Sequence, residues 1–334
     1  MSGSLFTQTH VLPAQTVDGH DIKVVVARYS KLAEPPAHGR ILILIHAVSA
    51  HKEHWLPILN RLFAQDDLNI SEAWSFDAPN HGGSLAYNKY LIDKPDVLND
   101  LSAYGQCLLA LLRSGLINLN GRELIPIGHS AGTNALVRCA MAYIRAGEPI
   151  PYKTAILIES VFLSEELGAK IVGRYKPAVK ARKWRWGSRQ EAEQFINNTQ
   201  PWKKWHKEIR DIYVEYGMNH TVAGSELKCP SRVEAACYPN ASVQAEALKN
   251  MPTFCENIKA HLILGTKNDF VPKEIRDPFV TFAESHMRSI RYVEGAGHMV
   301  VQEDPVGCAK AISDVLRSLS TSSYPPVQVA EAKL

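Results

Sequence analysis

A chain of 334 residues, 46% hydrophobic and 21% charged, carries enough apolar material for one large α/β domain with a substantial insertion or for two smaller domains, and it excludes a disordered or fibrous class. The formal net charge of +3 is too small to mark a nucleic-acid binder. Six scattered cysteines (Cys107, Cys139, Cys229, Cys237, Cys255, Cys308) form no CxxC pair and no disulfide framework, which points to reduced thiols in an intracellular compartment.

From Met1 to His10 there is no basic patch followed by a long apolar run, and no later stretch reaches transmembrane length. Neither a secretory signal nor a membrane span is expected. Val24 to Ala27 and Ile41 to Ile45 read as strands, and Trp55, Leu56, Ile58, Leu59, Leu62 and Phe63 recur at helical spacing. Trp74 to Asp77 reads as a short strand, and Leu98, Leu101, Tyr104, Leu108 and Leu111 line a helix. Between Ile45 and that first helix, His46, His51, His54 and His81 could tempt a metal reading. His51-Lys52-Glu53-His54 has the wrong spacing for two ligands on one helical turn, so no metal is expected.

The apolar run Leu124 to Ile127 leads into Gly128-His129-Ser130-Ala131-Gly132 and then into a helix-like stretch from Thr133. A serine oxygen attacks only when it stands clear of the backbone beside a base, and a sharp strand-to-helix turn provides that exposure. The crowding at such a turn demands small residues two before and two after the serine. Ser130 is therefore the expected nucleophile. The amide of Ala131 is one expected donor for the developing oxyanion, and the second belongs to the loop His46-Ala47-Val48, with Val48 the first choice and Ala47 the alternative.

Ala155 to Ile158 reads as the next strand, with Glu159 at its carboxyl end, and after it comes an insertion of roughly ninety residues of helical periodicity. The insertion carries Trp184, Trp186, Trp202 and Trp205 together with Lys176, Lys180, Arg182, Lys183, Arg185 and Arg189. Its plain reading is a helical cap with the indoles packed inside and the charges in water. Its functional reading is a roof whose aromatics form an acyl pocket and whose cations meet substrate phosphates.

Strand patterns return at His261 to Leu264 and at Ser289 to Val293, followed by a final helix near Ala309 to Leu319. His298, in the Gly-rich loop after the last strand, is the expected general base for Ser130. The acid that orients it is Glu159 or Asp269. In the frame Gly265-Thr266-Lys267-Asn268-Asp269 the usual acid position falls on Asn268, so Asp269 is one residue late, whereas Glu159 can reach the imidazole from its strand end. The order of elements is that of an α/β fold of the α/β-hydrolase type, a mostly parallel sheet flanked by helices. The expected division is a core over 1–162 and 258–319, a helical cap over 163–257, and a flexible tail over 320–334 whose spacer starts near Ser318. Its last residues, Ala332-Lys333-Leu334, resemble a peroxisomal targeting tripeptide read by the import receptor.

The segments His46 to Pro57, Phe76 to Ser84, Gly128 to Gly132 and Ile156 to Glu159, with Ser188 to Ala192 and the terminal tripeptide, together resemble the fungal peroxisomal α/β-hydrolase family over nearly the whole chain. That group includes a yeast peroxisomal lipase, the acyl-CoA hydrolase of mycophenolic acid biosynthesis and hydrolases of host-selective toxin pathways. The resemblance implies an acid after the strand that follows the elbow, which favours Glu159; glutamate at that position and the retained Asp269 are departures from the group. It also implies cofactor-free hydrolysis of an acyl thioester such as an acyl-CoA, or of an ester, in the peroxisome. The alternatives are a lipase or lactonase with the same residues, or a catalytically silent binding protein of this fold.

Overall fold

The computed structural model describes residues 5–92, 101–238 and 241–320. Among the described residues, eleven strands fall in two sheets. The large sheet contains β1 (Phe6–Gln15), β2 (Asp21–Ser30), β3 (Gly39–Ile45), β4 (Ile70–Phe76), β5 (Arg122–His129), β6 (Thr154–Ile158), β10 (Lys259–Gly265) and β11 (Ser289–Val293), in the order β1-β2-β4-β3-β5-β6-β10-β11. From β4 through β11 every neighbouring pair is parallel, while β1 pairs antiparallel with β2 and β2 with β4.

Because parallel strands need helical crossovers, both faces of this sheet are covered, and its central strands carry continuous apolar runs such as Ile41 to Ile45 in β3 and Ala155 to Ile158 in β6. In β3, Ile41, Ile43 and Ile45 enter one buried cluster and Leu42 and Leu44 the other. The same alternation divides Ala155 and Leu157 from Ile156 and Ile158 in β6. This is the period-two geometry of a strand with a core on each side.

β1 was not expected. Its first four residues are exposed and from His10 onward half-buried and exposed residues alternate, and a half-solvated edge strand shows no apolar run to read. The final helix runs Pro305–Ser320, so Ser318 to Ser320 belong to it rather than to the spacer. Ser320 Oγ accepts a hydrogen bond from Arg40 at 2.8 Å. Leu98 and the tripeptide Ala332-Lys333-Leu334 lie outside the described residues.

The segment between β6 and β10 contains the helices Glu165–Lys180, Arg189–Asn198, Lys207–Tyr216, Ser231–Ala236 and Ala241–Asn257. It also contains a small antiparallel sheet of β7 (Arg185–Trp186), β9 (Gly224–Leu227) and β8 (Met218–Thr221), too short to leave a periodicity. Trp186, Trp202, Trp205, Ile209 and Tyr213 form a core of their own here. The helix Ala241–Asn257, expected inside the cap, instead sends Ala247, Met251 and Phe254 into a cluster on the main sheet. Among the described residues no helix is long and apolar enough to cross a membrane.

Candidate active site

The register of the parallel strands sets Ile45 beside Gly128, His129 beside Ile158, Ile158 beside Ile263, and Gly265 beside Val293. The loops leaving these strands therefore meet at one sheet edge, and they carry Val48, Ser130, Glu159, Asp269 and His298. Ligands in open α/β sheets sit at this carboxyl edge.

Ser130 occupies the turn between β5 and the helix Ala131–Ala146 with φ 51° and ψ −112°, a left-handed strained conformation for a residue with a Cβ. Its amide donates to Ile158 O at 2.9 Å, and its carbonyl accepts from Thr133 N at 2.9 Å. The flanking glycines are required by space. A Cβ on Gly128 would lie 2.7 Å from the carbonyl of Gly132, and one on Gly132 would lie 2.3 Å from Ile45 O.

Three side chains are joined in line. His298 Nε2 lies 3.0 Å from Ser130 Oγ, and its Nδ1 lies 3.2 Å from Glu159 Oε2. The other carboxylate oxygen of Glu159 accepts from Gly265 N at 2.6 Å, and Glu159 itself sits at φ 46° with its amide donating to Ile263 O at 2.9 Å. Asp269 meets His298 elsewhere: its Oδ1 accepts from the backbone amide of His298 at 2.9 Å. Both acids named from the sequence thus converge on His298, one at the ring and one at the main chain.

The backbone around His298 is held from several sides. Gly297 N donates to Glu303 Oε2 at 2.8 Å, and His298 O accepts from His129 Nε2 at 2.9 Å. The Phe270 ring stacks on the imidazole with centroids 4.3 Å apart and planes 16° apart. None of these three partners was named from the sequence: His129 comes from a distant segment, Glu303 follows the loop closely but stands in no pattern that marks it, and only Phe270 had a signal, its place beside Asp269.

The expected oxyanion donors face the same space. Ala131 opens its helix, so its amide is one of the first-turn donors with no intrahelical partner. The carbonyl of Ala47 accepts from Ala50 N at 3.2 Å and from His46 Nδ1 at 2.7 Å. In a planar trans peptide the amide of Val48 points opposite to that carbonyl. Val48, Ala131, Ser130 and His298 all line one cavity of about 780 Å³.

Most of the cavity wall is apolar, with Val161, Ile171, Val172, Ala178, Val179, Met299 and Phe270 among its residues. Of the four tryptophans expected to shape it, Trp205 alone lines it; Trp186 and Trp202 are buried in the inserted segment's own core, and Trp184 packs against that core. The basic stretch also departs from expectation. Arg182 is paired with Glu234, Lys183 with Glu191 at 2.6 Å, Arg185 with Glu226 at 3.1 Å, and Arg189 with Glu193 at 2.9 Å and Glu215 at 2.7 Å. Lys176 and Lys180 are exposed, while Arg182 and Lys204 are the cations that line the cavity.

The histidines near the early loop are individually occupied. His46 Nε2 accepts from Ala78 N at 3.0 Å, His51 Nδ1 meets Glu53 Oε2 at 2.8 Å, and His81 Nδ1 meets Asn80 Oδ1 at 2.6 Å. Among the described residues no group of three or more His, Cys, Asp or Glu could hold a metal ion. Burial, chiefly, pushes His51, His81 and His129 down to about 3. Their folded values lie below the unfolded value of about 6.5, so the unfolded chain binds protons that the native chain refuses. Stability is fully present above about pH 6.5 and is lost as pH falls toward 3, by about 1.4 kcal/mol per pH unit for each such histidine. The urea midpoint is expected to drop between about pH 7 and about pH 5; an unchanged midpoint would contradict the buried neutral state.

A model of the alpha/beta hydrolase family matches residues 42–311. No curated protein sequence matches. Among solved structures, the peroxisomal alpha-beta-hydrolase Lpx1 from Saccharomyces cerevisiae superposes with a TM-score of 0.76 at 16% identity, over 96% of this chain and 91% of that one. E-2-(acetamidomethylene)succinate hydrolase gives a TM-score of 0.65 at 16% identity over 92% and 98% of the two chains. A thermophilic esterase from Thermogutta terrifontis gives 0.61 at 16% identity over 94% and 100%. At these identities the likeness is one of fold.

Proposed function

Since the chain belongs to the alpha/beta hydrolase family, we propose that it is a serine hydrolase that cleaves an acyl ester or thioester through an acyl-enzyme on Ser130. The observation that carries this reading is the line of contacts Ser130 Oγ to His298 Nε2 at 3.0 Å and His298 Nδ1 to Glu159 at 3.2 Å, with Ser130 and His298 lining a mostly apolar cavity. His298 takes the proton of Ser130 as Oγ attacks the carbonyl carbon. Glu159 holds the Nδ1–H tautomer and stabilises the imidazolium that forms. The amides of Ala131 and Val48 receive the negative charge that develops on the carbonyl oxygen. Collapse of the tetrahedral species expels the alcohol or thiol with the proton held by His298, and a water activated by the same imidazole then releases the acid.

The apolar wall supports an acyl group as the portion recognised, and the pairing of Arg182, Lys183, Arg185 and Arg189 with carboxylates leaves little of the basic stretch for CoA phosphates. The finer reading is an acyl-CoA hydrolase of the peroxisome in fungal secondary-metabolite or toxin biosynthesis. It is supported by the sequence resemblance and by Ala332-Lys333-Leu334, which a receptor reads as an address when it forms a free C-terminus. The structural likeness to a hydrolase named as peroxisomal is in keeping with it.

The experiment is a panel of p-nitrophenyl esters and acyl-CoAs sharing the same acyl groups. Turnover of both classes, varying chiefly with the acyl group, is the expected result. No turnover of any member, with the protein folded, would favour the silent binding protein.

A further inference from the structure

Ser49 directly follows the proposed oxyanion donor Val48, and it is one of the non-glycine residues with positive φ, at 71°. A residue with a Cβ stays in that region only when its surroundings hold it there. Two separate contacts hold Ser49. Its Oγ donates to the carboxylate of Glu234, and its amide donates to His81 Nε2 at 3.2 Å. His81 passes the line on through Nδ1 to Asn80 Oδ1 at 2.6 Å, and Asn80 Nδ2 reaches Cys237 Sγ at 2.9 Å. Both lines end on the same short stretch of the inserted segment, the helix Ser231–Ala236 and the residue after it.

Glu234 is 2% exposed, and the same oxygen that binds Ser49 also accepts from Arg182. A buried ion pair is weak evidence for stability, because desolvation offsets the attraction. What this one does is present to Ser49 a carboxylate oxygen that Arg182 also holds, and hydrogen bonds to ion-paired groups are the stronger ones.

We propose that Glu234 is a positioning residue for the reaction: it fixes Ser49, and through Ser49 the peptides that aim the Val48 amide at the developing oxyanion. The inserted segment thereby completes the oxyanion site as well as roofing the cavity. This inference rests on the serine-hydrolase reading above. On the other side of the same loop the Ala47 carbonyl is held by Ala50 N and His46 Nδ1, so the peptide carrying the Val48 amide is fixed from both ends.

The test uses the full chain with a p-nitrophenyl ester and with a trifluoromethyl ketone of the same acyl group, whose adduct on Ser130 places an oxyanion where the transition state has one. Ser49→Ala removes one hydroxyl and leaves the Glu234–Arg182 pair intact. It should lower kcat by about 10- to 100-fold, short of the loss of a whole oxyanion donor, with KM within about twofold and the thermal midpoint little changed. The Ki of the ketone should rise by the same factor by which kcat/KM falls. Glu234→Gln, which keeps the size and loses the charge, should move kcat and Ki in the same direction by less; if it does not fold, Ser49→Ala carries the test alone. Wild-type kcat in Ser49→Ala, a change in KM alone, or a fall in kcat without a rise in Ki would each overturn the proposal. Ser130→Ala in the same assay separates the two claims. Turnover that survives it removes the serine mechanism, whereas turnover lost in Ser130→Ala but intact in Ser49→Ala removes only the role of Glu234.

Discussion

Ser130→Ala is expected to lower kcat/KM by about four to six orders of magnitude, the scale seen when the nucleophile of a serine–histidine–acid set is removed. The alanine Cβ occupies the space of the serine Cβ, so the turn between Gly128 and Gly132 is undisturbed and the protein should unfold at the wild-type midpoint. What is lost is the oxygen that lies 3.0 Å from His298 Nε2. The residual rate measures what the Ala131 and Val48 amides and the cavity contribute with water as the attacking group. A loss of less than about tenfold would mean that Ser130 forms no acyl-enzyme.

Glu159→Gln is expected to lower kcat by about 10³- to 10⁴-fold, and Asp269→Asn by less than about tenfold. The glutamine can keep the bond from Gly265 N by presenting its oxygen there. It then turns an NH₂ group toward His298 Nδ1, where two donors face each other. The imidazole relieves this by moving its proton to Nε2, the nitrogen that must accept from Ser130, and the base is lost. Asparagine at 269 still offers an oxygen to the His298 amide, so the loop stays in place. KM should change little in either variant. The reverse ranking would make Asp269 the orienting acid.

The parts of this molecule that could be read from sequence are those whose signal is local. β3, β5, β6 and β10 are buried on both faces, so each appears as an uninterrupted apolar run, and Ser130 and His298 each stand in a short pattern that a single loop must satisfy. Glu159 and Asp269 could not be separated on the residues themselves, because both loops do reach His298 and only the three-dimensional register sends one carboxylate to the ring and the other to the main chain. In the basic stretch of the inserted segment, Lys183 and Arg189 meet Glu191 and Glu193 nearby in sequence, but Arg185 and Glu226, 41 residues apart, and Arg182 and Glu234, 52 residues apart, are pairs that only the fold brings together. Glu234 and Ser49 left no mark for the same reason. β1 failed differently, since an edge strand that is half in water has no apolar run to show.

The central claim, that Ser130 carries the acyl group, is tested most directly by covalent capture. The folded protein is treated with a fluorophosphonate, its mass is measured intact, and the modified peptide is sequenced. The account predicts one adduct per chain, on Ser130, with hydrolysis of the p-nitrophenyl ester lost in proportion to the adduct formed, and no labelling of Ser130→Ala. An adduct on another residue, or full labelling of Ser130 with ester turnover undiminished, would contradict it.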